Sequence, residues 1–199
     1  MAPDDHLAEY RSKRDLARSP EPGGGRARSG SEPIFVVQHH EARREHFDFR
    51  LQVGDVLKSW AVPKGPSTDP REKRLAVRVE DHPLDYADFE GVIPEGEYGA
   101  GAVIVWDTGP YRNRTKSNGV EVPVEQALDD GHLVVELFGR KLRGQYALTR
   151  IGSDARGRER WLLVKKRDEA ADPRNDLVSR RPESVLSGRT LEQVAAEGR

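Results

Sequence analysis

Apolar and polar residues alternate strictly between positions 46 and 53 of the chain. The apolar positions are Phe47, Phe49, Leu51 and Val53, and the polar ones are His46, Asp48, Arg50 and Gln52. A period of two is typical of a half-buried β-strand, whose successive side chains point to opposite faces. We therefore expect the apolar set to face a core and the polar set to lie together on the outward face.

Short runs of this kind continue along the chain, separated by Gly, Pro and Asp. The predicted strands are 34–38, 46–53, 56–62, a run through Leu75, Val77 and Val79, 102–106, 133–138, 146–151 and 161–166. Gly54-Asp55 suits a two-residue hairpin turn, and the three prolines between positions 63 and 70 indicate a loop. Short strands with frequent turn signals predict an all-β fold, which we expect to be a β-barrel of antiparallel strands.

Both ends of the chain differ from this middle part. An amphipathic helix is predicted at 5–16; the Pro- and Gly-rich run at 20–25 ends it, and a polar linker follows at 26–31. Near the other end, Thr190-Leu191-Glu192-Gln193 has the spacing of a capping box and predicts a short final helix. The expected divisions are an arm at 1–33 that packs near the site, a barrel at 34–167 and a polar tail at 168–199.

Composition narrows the class of protein. The 199 residues include no cysteine, which excludes disulfides, thiolate nucleophiles and zinc fingers and fits a reducing cytoplasm. No apolar run is long enough to span a bilayer, and we expect no contact with a membrane. Charged residues make up 34% of the chain but the net charge is −1, so any nucleic-acid binding must come from a local patch.

A divalent metal is the first chemistry that the alternating strand suggests. His46 and Asp48 lie two residues apart on one face, about 6.6 Å between their Cα atoms. His40 has the same parity but would lie about 20 Å from His46 along a straight strand, so it can join them only if the chain reverses within 41–45. Two imidazoles and a carboxylate suit manganese, zinc or iron. The alternative is a chance pair of surface histidines, since the chain has six.

A second group of polar residues lies on the run that follows the proline-rich loop. Arg74, Arg78, Glu80 and His82 share one parity, opposite the apolar positions of that run. If this strand lies near the first, its guanidinium groups could bind phosphate oxygens in pairs. The alternative is an exposed strand with paired charges.

Three further features bear on the chemistry. Lys64 lies in a rigid loop between Pro63 and Gly65, and Tyr86 is either a core tyrosine or a hydrogen-bond donor to a substrate. The glycines between positions 96 and 101 precede a strand, so they indicate turns with positive φ and not a phosphate cradle. No Gly-x-Ser-x-Gly nucleophile motif is present, so hydrolysis would use water.

Several long motifs resemble those of a known family. They are Gln38-x-His40, His46-x-Asp48-Phe49-Arg50-Leu51, Ser59-Trp60-Ala61-Val62-Pro63-Lys64-Gly65, Glu80-Asp81-His82-Pro83-Leu84-Asp85-Tyr86 and Ile93-Pro94-x-Gly96-x-Tyr98-Gly99-x-Gly101. In this order they are similar to the 3′-phosphoesterase domain of the bacterial ligase D of non-homologous end joining. The resemblance runs from about residue 10 to residue 166.

The resemblance implies a β-barrel enzyme that heals DNA 3′ ends. Such a domain removes a terminal ribonucleoside as a phosphodiesterase and then a 3′-phosphate as a monoesterase, leaving a 3′-OH. It depends on Mn²⁺, with Co²⁺ or Zn²⁺ as other candidates, and prefers a primer–template with a terminal ribonucleotide. The implied setting is a monomer in the cytoplasm, at the nucleoid, working with DNA ligase, polymerase and Ku.

The resemblance also assigns roles to residues. The implied metal ligands are His40, His46 and Asp48, and the implied phosphate-binding residues are Arg50, Arg74, Lys64 and His82. Supporting roles fall to Gln38, Glu80 and Tyr86, and the arm contributes Arg14, Asp15 and Glu21, which implies that it folds against the pocket.

The chain departs from the family pattern at three places. His39 replaces the usual lysine before the first ligand, so which imidazole faces the site is open, and Phe47 replaces a tyrosine. The tail at 181–190 resembles the linker that leads to further modules in the fused enzymes, so we expect a stand-alone or excised version.

Two other functions stay open at this point. A non-haem iron oxygenase on a cupin-like barrel would use two histidines and a carboxylate, for which His46, Asp48 and His82 are candidates. A non-catalytic nucleic-acid-binding barrel would need aromatic side chains along a basic groove. Aromatic residues make up only 7% of the chain, and Phe47 and Phe49 are expected in the core.

Overall fold

The computed structural model of the chain describes residues 5–25 and 32–198, so the linker predicted at 26–31 lies outside the described residues. The helices are α1 (Ala8–Ser12), a 3₁₀ helix (Leu84–Asp88), α2 (Val124–Asp130), α3 (Leu177–Arg180) and α4 (Leu191–Glu197). The strands are β1 (Ile34–Glu41), β2 (Glu45–Val53), β3 (Val56–Val62), β4 (Arg74–Pro83), β5 (Gly91–Ile93), β6 (Gly101–Asn113), β7 (Lys116–Ser117), β8 (Val120–Glu121), β9 (His132–Phe138), β10 (Arg143–Ser153) and β11 (Glu159–Lys165).

The strands form a closed antiparallel barrel. In the described part of the chain the strand order is β1-β2-β3-β4-β11-β10-β9-β6, and β6 pairs again with β1 to close the ring of eight. β5 is added to β6, and β7 and β8 form a separate small hairpin. The predicted all-β barrel with short helices near both ends is confirmed.

Large apolar side chains fill the barrel interior. Trp60, Trp106 and Trp161 are almost fully buried there, together with Phe47 and Phe49 of the alternating strand. Burying a side chain of this size stabilises the fold by roughly 1.5–3 kcal/mol. The predicted inward orientation of the odd-numbered residues of β2 is therefore confirmed.

β4 contains a bulge that reverses its alternation. Leu57 pairs with His82 but Ser59 pairs with Val79. An advance of two residues along β3 therefore corresponds to an advance of three residues along β4. Before the bulge, the even-numbered residues of β4 point into the barrel. The extra residue reverses this alternation, so Glu80 and His82 lie on the outer face.

The predicted alternation of β4 is therefore wrong before the bulge. Ala76 is fully buried, whereas Leu75 of the expected core-facing set is 40% exposed. Arg78 lies over the ring of Trp60 at 4.7 Å and forms an ion pair with Asp81 at 3.2 Å, so it is turned away from the face that Glu80 and His82 share.

A second apolar cluster covers the outer wall of the barrel. It contains Tyr10 of α1, Val36, Leu57, Tyr86 and Val105, all buried. The arm and the 3₁₀ helix supply the cover, so the outward side chains of β1 and β2 lie under protein and not in open solvent. The predicted helix at 5–16 is shorter than expected, since α1 ends at Ser12 and the backbone then turns at Asp15, whose carbonyl accepts from the N–H groups of Arg18 and Ser19.

The C-terminal segment runs back across β6. The indole of Trp106 donates to the carbonyl of Arg181 at 2.7 Å, and the Val185 N–H donates to the carbonyl of Val105 at 3.0 Å. Leu191 and Val194 of α4 are buried, and Thr190 forms the predicted capping box with Gln193. The tail was expected to be polar and irregular before α4, but it packs against the barrel and includes α3. Among the described residues, none of the helices has the length and apolar character needed to cross a membrane.

Candidate metal and phosphate site

The β1–β2 hairpin brings the predicted metal ligands together. β1 ends at Glu41 and β2 begins at Glu45, so the chain reverses where the sequence required it. His40 lies directly opposite His46 in the register, and Gln38 lies opposite Asp48. Candidate ligand atoms of His40, His46 and Asp48 all lie within 4.8 Å of one another. His40 is part of β1, although the predicted strand ended at residue 38.

The two imidazoles are oriented for metal binding. His40 Nε2–H donates to the carbonyl of Gly99 at 2.7 Å, and His46 Nδ1–H donates to the carbonyl of Arg44 at 2.9 Å. In the neutral rings the other nitrogens carry the lone pairs, and they lie 3.7 Å and 3.5 Å from the Asp48 carboxylate oxygens. A backbone carbonyl behind each imidazole is the usual support of a metal-bound histidine. These three residues could hold a divalent ion.

Arg50 keeps the Asp48 carboxylate charged. Burial alone would raise the pKa of Asp48, but the positive charge of the Arg50 guanidinium, together with the two neighbouring imidazoles, holds it well below its usual range. Arg50 Nη2 lies 3.2 Å from Asp48 Oδ2. A carboxylate that stays ionised is the form that binds a cation.

His39 faces the opposite side of the strand. Its ring stacks on Phe47 with centroids 4.1 Å apart, and its Nε2 lies 2.6 Å from the Glu45 carboxylate. His40 is therefore the imidazole that faces the site, which settles the point that the sequence left open.

Arg50 also presents a free donor. Its Nε donates to Gln38 Oε1 at 2.8 Å, and the Gln38 amide donates in turn to the carbonyls of Tyr86 and Phe89. Arg50 Nη1 is buried and has no hydrogen-bond partner among the described residues. Because an unpaired buried guanidinium N–H is costly, this donor indicates a place for an anion.

The arm adds a second guanidinium beside this one. Arg14 is almost buried and forms ion pairs with Glu21 at 2.9 Å and with Glu80 at 3.0 Å. The Tyr86 hydroxyl donates to Glu21 at 2.9 Å, so that carboxylate fixes both the arm and the 3₁₀ helix. Of the two roles considered for Tyr86, the structure shows a buried tyrosine whose hydroxyl is bonded to protein.

His82 is held as a neutral imidazole. Its Nδ1–H donates to the backbone carbonyl of Glu80 at 2.9 Å, and its Nε2 accepts from Arg14 Nη2 at 3.2 Å. Burial, with the positive charges of Arg50 and Arg14, lowers the pKa of His82 well below its usual range. His82 is not part of the group formed by His46 and Asp48, so the ligand triad considered for an oxygenase does not form.

The remaining predicted site residues are bonded to partners outside the imidazole cluster. Arg74 Nη1 donates to the carbonyl of Lys64 at 3.1 Å, and Arg74 pairs with Glu72 at 2.6 Å. Among the described residues, neither Lys64 nor Arg74 makes a hydrogen bond or ion pair with the cluster. Asp15 is exposed, and its carboxylate accepts from the Ala17 N–H at 3.1 Å, so it stabilises a turn of the arm.

Several supporting groups were not predicted. The backbone carbonyls of Gly99 and Arg44 orient the histidines, and backbone groups leave no residue-type signal in a sequence. Lys13 reaches Glu80 at 3.1 Å, and Tyr10 donates its hydroxyl to the carbonyl of Pro22 at 2.6 Å. The resemblance implied roles only for Arg14, Asp15 and Glu21 of the arm, so neither side chain was singled out.

Comparison with known proteins shows which family this chain is similar to. Residues 38–150 match the family model described as DNA Ligase D 3′-phosphoesterase domain. The multifunctional non-homologous end joining protein LigD of Pseudomonas aeruginosa is 52% identical over 190 residues, which cover 93% of this chain and 22% of that protein. The multifunctional non-homologous end joining DNA repair protein LigD of Mycobacterium tuberculosis is 43% identical over 169 residues, 83% of this chain and 20% of that protein. LigD of Mycolicibacterium smegmatis is 39% identical over 200 residues, 98% and 25% of the two chains.

Fold, site and comparisons together define the class of the chain, which is a phosphoesterase domain. More particularly, the chain belongs to the family of DNA ligase D 3′-phosphoesterase domains. It spans between a fifth and a quarter of the length of the relatives named above.

Proposed function

We propose that this chain is a manganese-dependent phosphoesterase that heals 3′ ends of DNA. It removes a 3′-terminal ribonucleoside as a phosphodiesterase and then the remaining 3′-phosphate as a monoesterase. One observation carries the proposal: Arg50 contacts the candidate ligand Asp48 at 3.2 Å and keeps a buried donor free. A candidate cation site therefore lies next to a candidate anion site. This arrangement suits a metal ion bound beside a phosphate.

The residues present fit a divalent cation. Two neutral imidazole nitrogens and one ionised carboxylate would hold it, and this donor set suits Mn²⁺, with Co²⁺ or Zn²⁺ as alternatives. When bound, the ion supplies Lewis-acid chemistry that draws charge from a phosphoryl oxygen. The carbonyls of Gly99 and Arg44 fix the ring orientations before binding, so the site is preorganised.

Arg50 holds the phosphate during the reaction. Its free Nη1 donates to a non-bridging oxygen, and this bond strengthens as charge develops on the phosphorus oxygens. In the first step water attacks phosphorus, the P–O5′ bond to the terminal ribonucleoside breaks, and the 5′-oxygen takes up a proton. In the second step water attacks the 3′-phosphate, the P–O3′ bond breaks, and the products are a 3′-OH and inorganic phosphate.

His82 donates a proton or a hydrogen bond to the phosphate through its Nε2 atom. In the free protein this nitrogen accepts from Arg14 at 3.2 Å. A phosphate beside Arg50 adds negative charge close to His82 and raises the pKa of the imidazole, so Nε2 can take up a proton and donate it to a phosphate or leaving oxygen. Arg14, released from His82, then pairs more fully with the substrate or with Glu80.

Lys64 and Arg74 are proposed to bind the DNA strand. Val62 pairs with Phe47, so the loop that carries Lys64 begins at the end of the hairpin where His46 lies. Lys64 is exposed, and Arg74 is tied to its carbonyl. Two cations beside the site would meet backbone phosphates of the primer–template, an interaction that weakens with salt.

The wider setting is also part of the proposal. The printed names of the relatives refer to non-homologous end joining, so the substrate would be a primer–template end with a terminal ribonucleotide. DNA ligase, polymerase and Ku would act on the same break, and the chain would work as a monomer in the cytoplasm at the nucleoid. An oxygenase is not favoured, because His82 lies against Arg14 and not with His46 and Asp48.

A product ladder tests the proposal. A primer labelled at its 5′ end and ending in one ribonucleotide is annealed to a template and incubated with Mn²⁺ or with EDTA. We expect a 3′-phosphate band followed by a 3′-OH band, with Mn²⁺ only. His40→Ala should abolish both bands, whereas His132→Ala, which changes an exposed histidine of β9, should abolish neither. Equal product in EDTA, or full activity of His40→Ala, would overturn the proposal.

A further inference from the structure

We propose that Tyr98 is the stacking platform for the terminal nucleoside of the substrate. This inference rests on the proposed function and deepens it, because it names the part of the site that would distinguish a ribonucleoside end from a 3′-phosphate end.

Tyr98 is an aromatic side chain left open to solvent. It is 47% exposed, whereas Tyr10, Tyr86, Tyr111 and Tyr146 are at most 2% exposed. An exposed tyrosine in a surface loop needs no explanation by itself, so its contacts with the site decide the argument.

The loop that carries Tyr98 is fixed against the candidate metal site. The carbonyl of the next residue, Gly99, accepts the hydrogen bond from His40 Nε2 at 2.7 Å. The backbone turns through positive φ at Gly96 and Gly99, with φ values of 90° and 77°, and the Ala100 N–H closes a turn onto the carbonyl of Glu97 at 3.2 Å. Tyr98 is therefore held one residue from a contact with a proposed metal ligand.

Two cationic side chains of the arm lie over the ring of Tyr98. Lys13 Nζ and the Arg14 guanidinium carbon each lie 5.2 Å from its centroid. The same two residues form ion pairs with Glu80 at 3.1 Å and 3.0 Å, and Arg14 also contacts His82 at 3.2 Å. The loop thus contacts a proposed metal ligand through Gly99, and the ring contacts the guanidinium that bonds His82.

A nucleobase is the ligand that this geometry suits. Every base has an aromatic face, and stacking on a tyrosine tolerates all four bases, as end healing requires. The ribonucleotide end carries a nucleoside beyond the scissile phosphate, whereas the 3′-phosphate end carries none. Tyr98 should therefore contribute to binding of the first substrate and not of the second.

Steady-state kinetics on the two ends test this inference. Tyr98→Ala should raise KM for the ribonucleotide-ended primer–template about 5- to 150-fold, the range expected for one lost base–aromatic stack. KM for the 3′-phosphate end should change less than about twofold. Tyr98→Phe should keep the wild-type KM on both ends, because stacking needs the ring and not the hydroxyl.

Phe138→Ala is the matched control. Phe138 is 41% exposed and has Arg112 at 5.2 Å from its centroid, so it reproduces an exposed ring with a cation, but it lies on β9. This variant should behave as wild type on both ends. An equal loss on both ends in Tyr98→Ala would show that the tyrosine only supports the loop and would overturn the inference, as would no loss on either.

A binding measurement separates this inference from the proposed function. Fluorescence anisotropy in EDTA, without turnover, compares the affinities for the two ends. Wild type should bind the ribonucleotide end more tightly, and Tyr98→Ala should lose that preference. If wild type cleaves neither substrate with Mn²⁺, the proposed function fails, but the anisotropy still decides whether Tyr98 binds a nucleoside.

Discussion

Arg14 Nη2 lies 3.2 Å from His82 Nε2, which joins the N-terminal arm to the outer wall of the barrel. The same guanidinium bonds Glu21 of the arm and Glu80 of β4. One side chain therefore fixes the neutral imidazole and both buried carboxylates around it.

Arg14→Lys tests whether the shape of the Arg14 guanidinium matters in addition to its positive charge. A lysine keeps the positive charge but cannot meet Glu21, Glu80 and His82 together, because it lacks the planar fork of five donors. We expect kcat on a 3′-phosphate primer to fall at least about tenfold, with Mn²⁺ affinity unchanged, because no metal ligand is touched. Arg11→Lys, on the exposed face of α1, should leave kcat unaltered. Wild-type kcat in Arg14→Lys would contradict the positioning role.

His46→Ala should remove a metal ligand. Losing only the group behind a ligand typically costs about 10- to 100-fold in metal affinity, so losing the ligand itself should exceed about 100-fold. Calorimetry with Mn²⁺ measures this, and the stabilisation of the fold by Mn²⁺ should disappear in parallel. His132→Ala, which alters an imidazole bonded to Thr149, should bind Mn²⁺ as wild type does. Unchanged affinity in His46→Ala would exclude the site.

Gly101→Ala should disrupt the join between the loop and β1. A Cβ at this position would lie 1.6 Å from the carbonyl oxygen of Glu41, and φ is +134°. Gly96→Ala is the control, since its φ of +90° is also positive but nothing lies within 4 Å of its Cβ. We expect the control to lose about 1 kcal/mol of unfolding free energy from backbone strain, and Gly101→Ala to lose about 2 kcal/mol or more beyond that. Urea unfolding measures both, and equal losses would contradict the steric argument.

Lys141 should make stability depend on pH at alkaline values. Burial lowers its pKa from 10.5 to about 8, against the opposing charges of Glu183 and Asp107. Its Nζ donates to the carbonyls of Arg181 and Glu183 in the C-terminal segment. Between pH 8 and pH 10.5 the unfolded chain holds a proton that the native chain has released, so the unfolding free energy rises with pH.

The test compares wild type with Lys141→Met. The difference in their unfolding free energies, wild type minus variant, should become more favourable to wild type by about 3 kcal/mol between pH 8 and pH 10.5. Lys166→Met, at an exposed position, serves as the matched control. A difference that stays constant with pH would show that the buried ammonium costs nothing.

Local patterns predicted the hairpin and its chemistry. The alternation of β2 placed Phe47 inward and Asp48 outward, and the distance argument for His40 required the reversal that the structure contains. The arm residues Arg14 and Glu21 came from the family resemblance alone, because no periodicity distinguishes them from other charged residues. Sequence reasoning thus found the side chains of the site better than the segments that cover it.

The failures have physical causes. Parity cannot be carried through a bulge, so Arg78 was placed on the wrong face once β4 gained a residue between Val79 and His82. The Gly99 carbonyl that orients His40 belongs to a loop 59 residues away, and only the tertiary fold brings the two together. The tail was expected to be a polar segment with one short helix, but Leu191 and Val194 are buried and backbone groups of the segment bond to β6 and Lys141.

The site lies on the wall of the barrel and not inside it. Successive residues of β2 therefore belong alternately to the core and to the site. Replacing Phe47, Phe49 or Leu51 would lower the amount of folded protein that a cell accumulates, whereas replacing His46, Asp48 or Arg50 would lower turnover far more than it lowers that amount. In a mutational scan the two readouts, abundance and activity, would therefore alternate along the strand with a period of two residues.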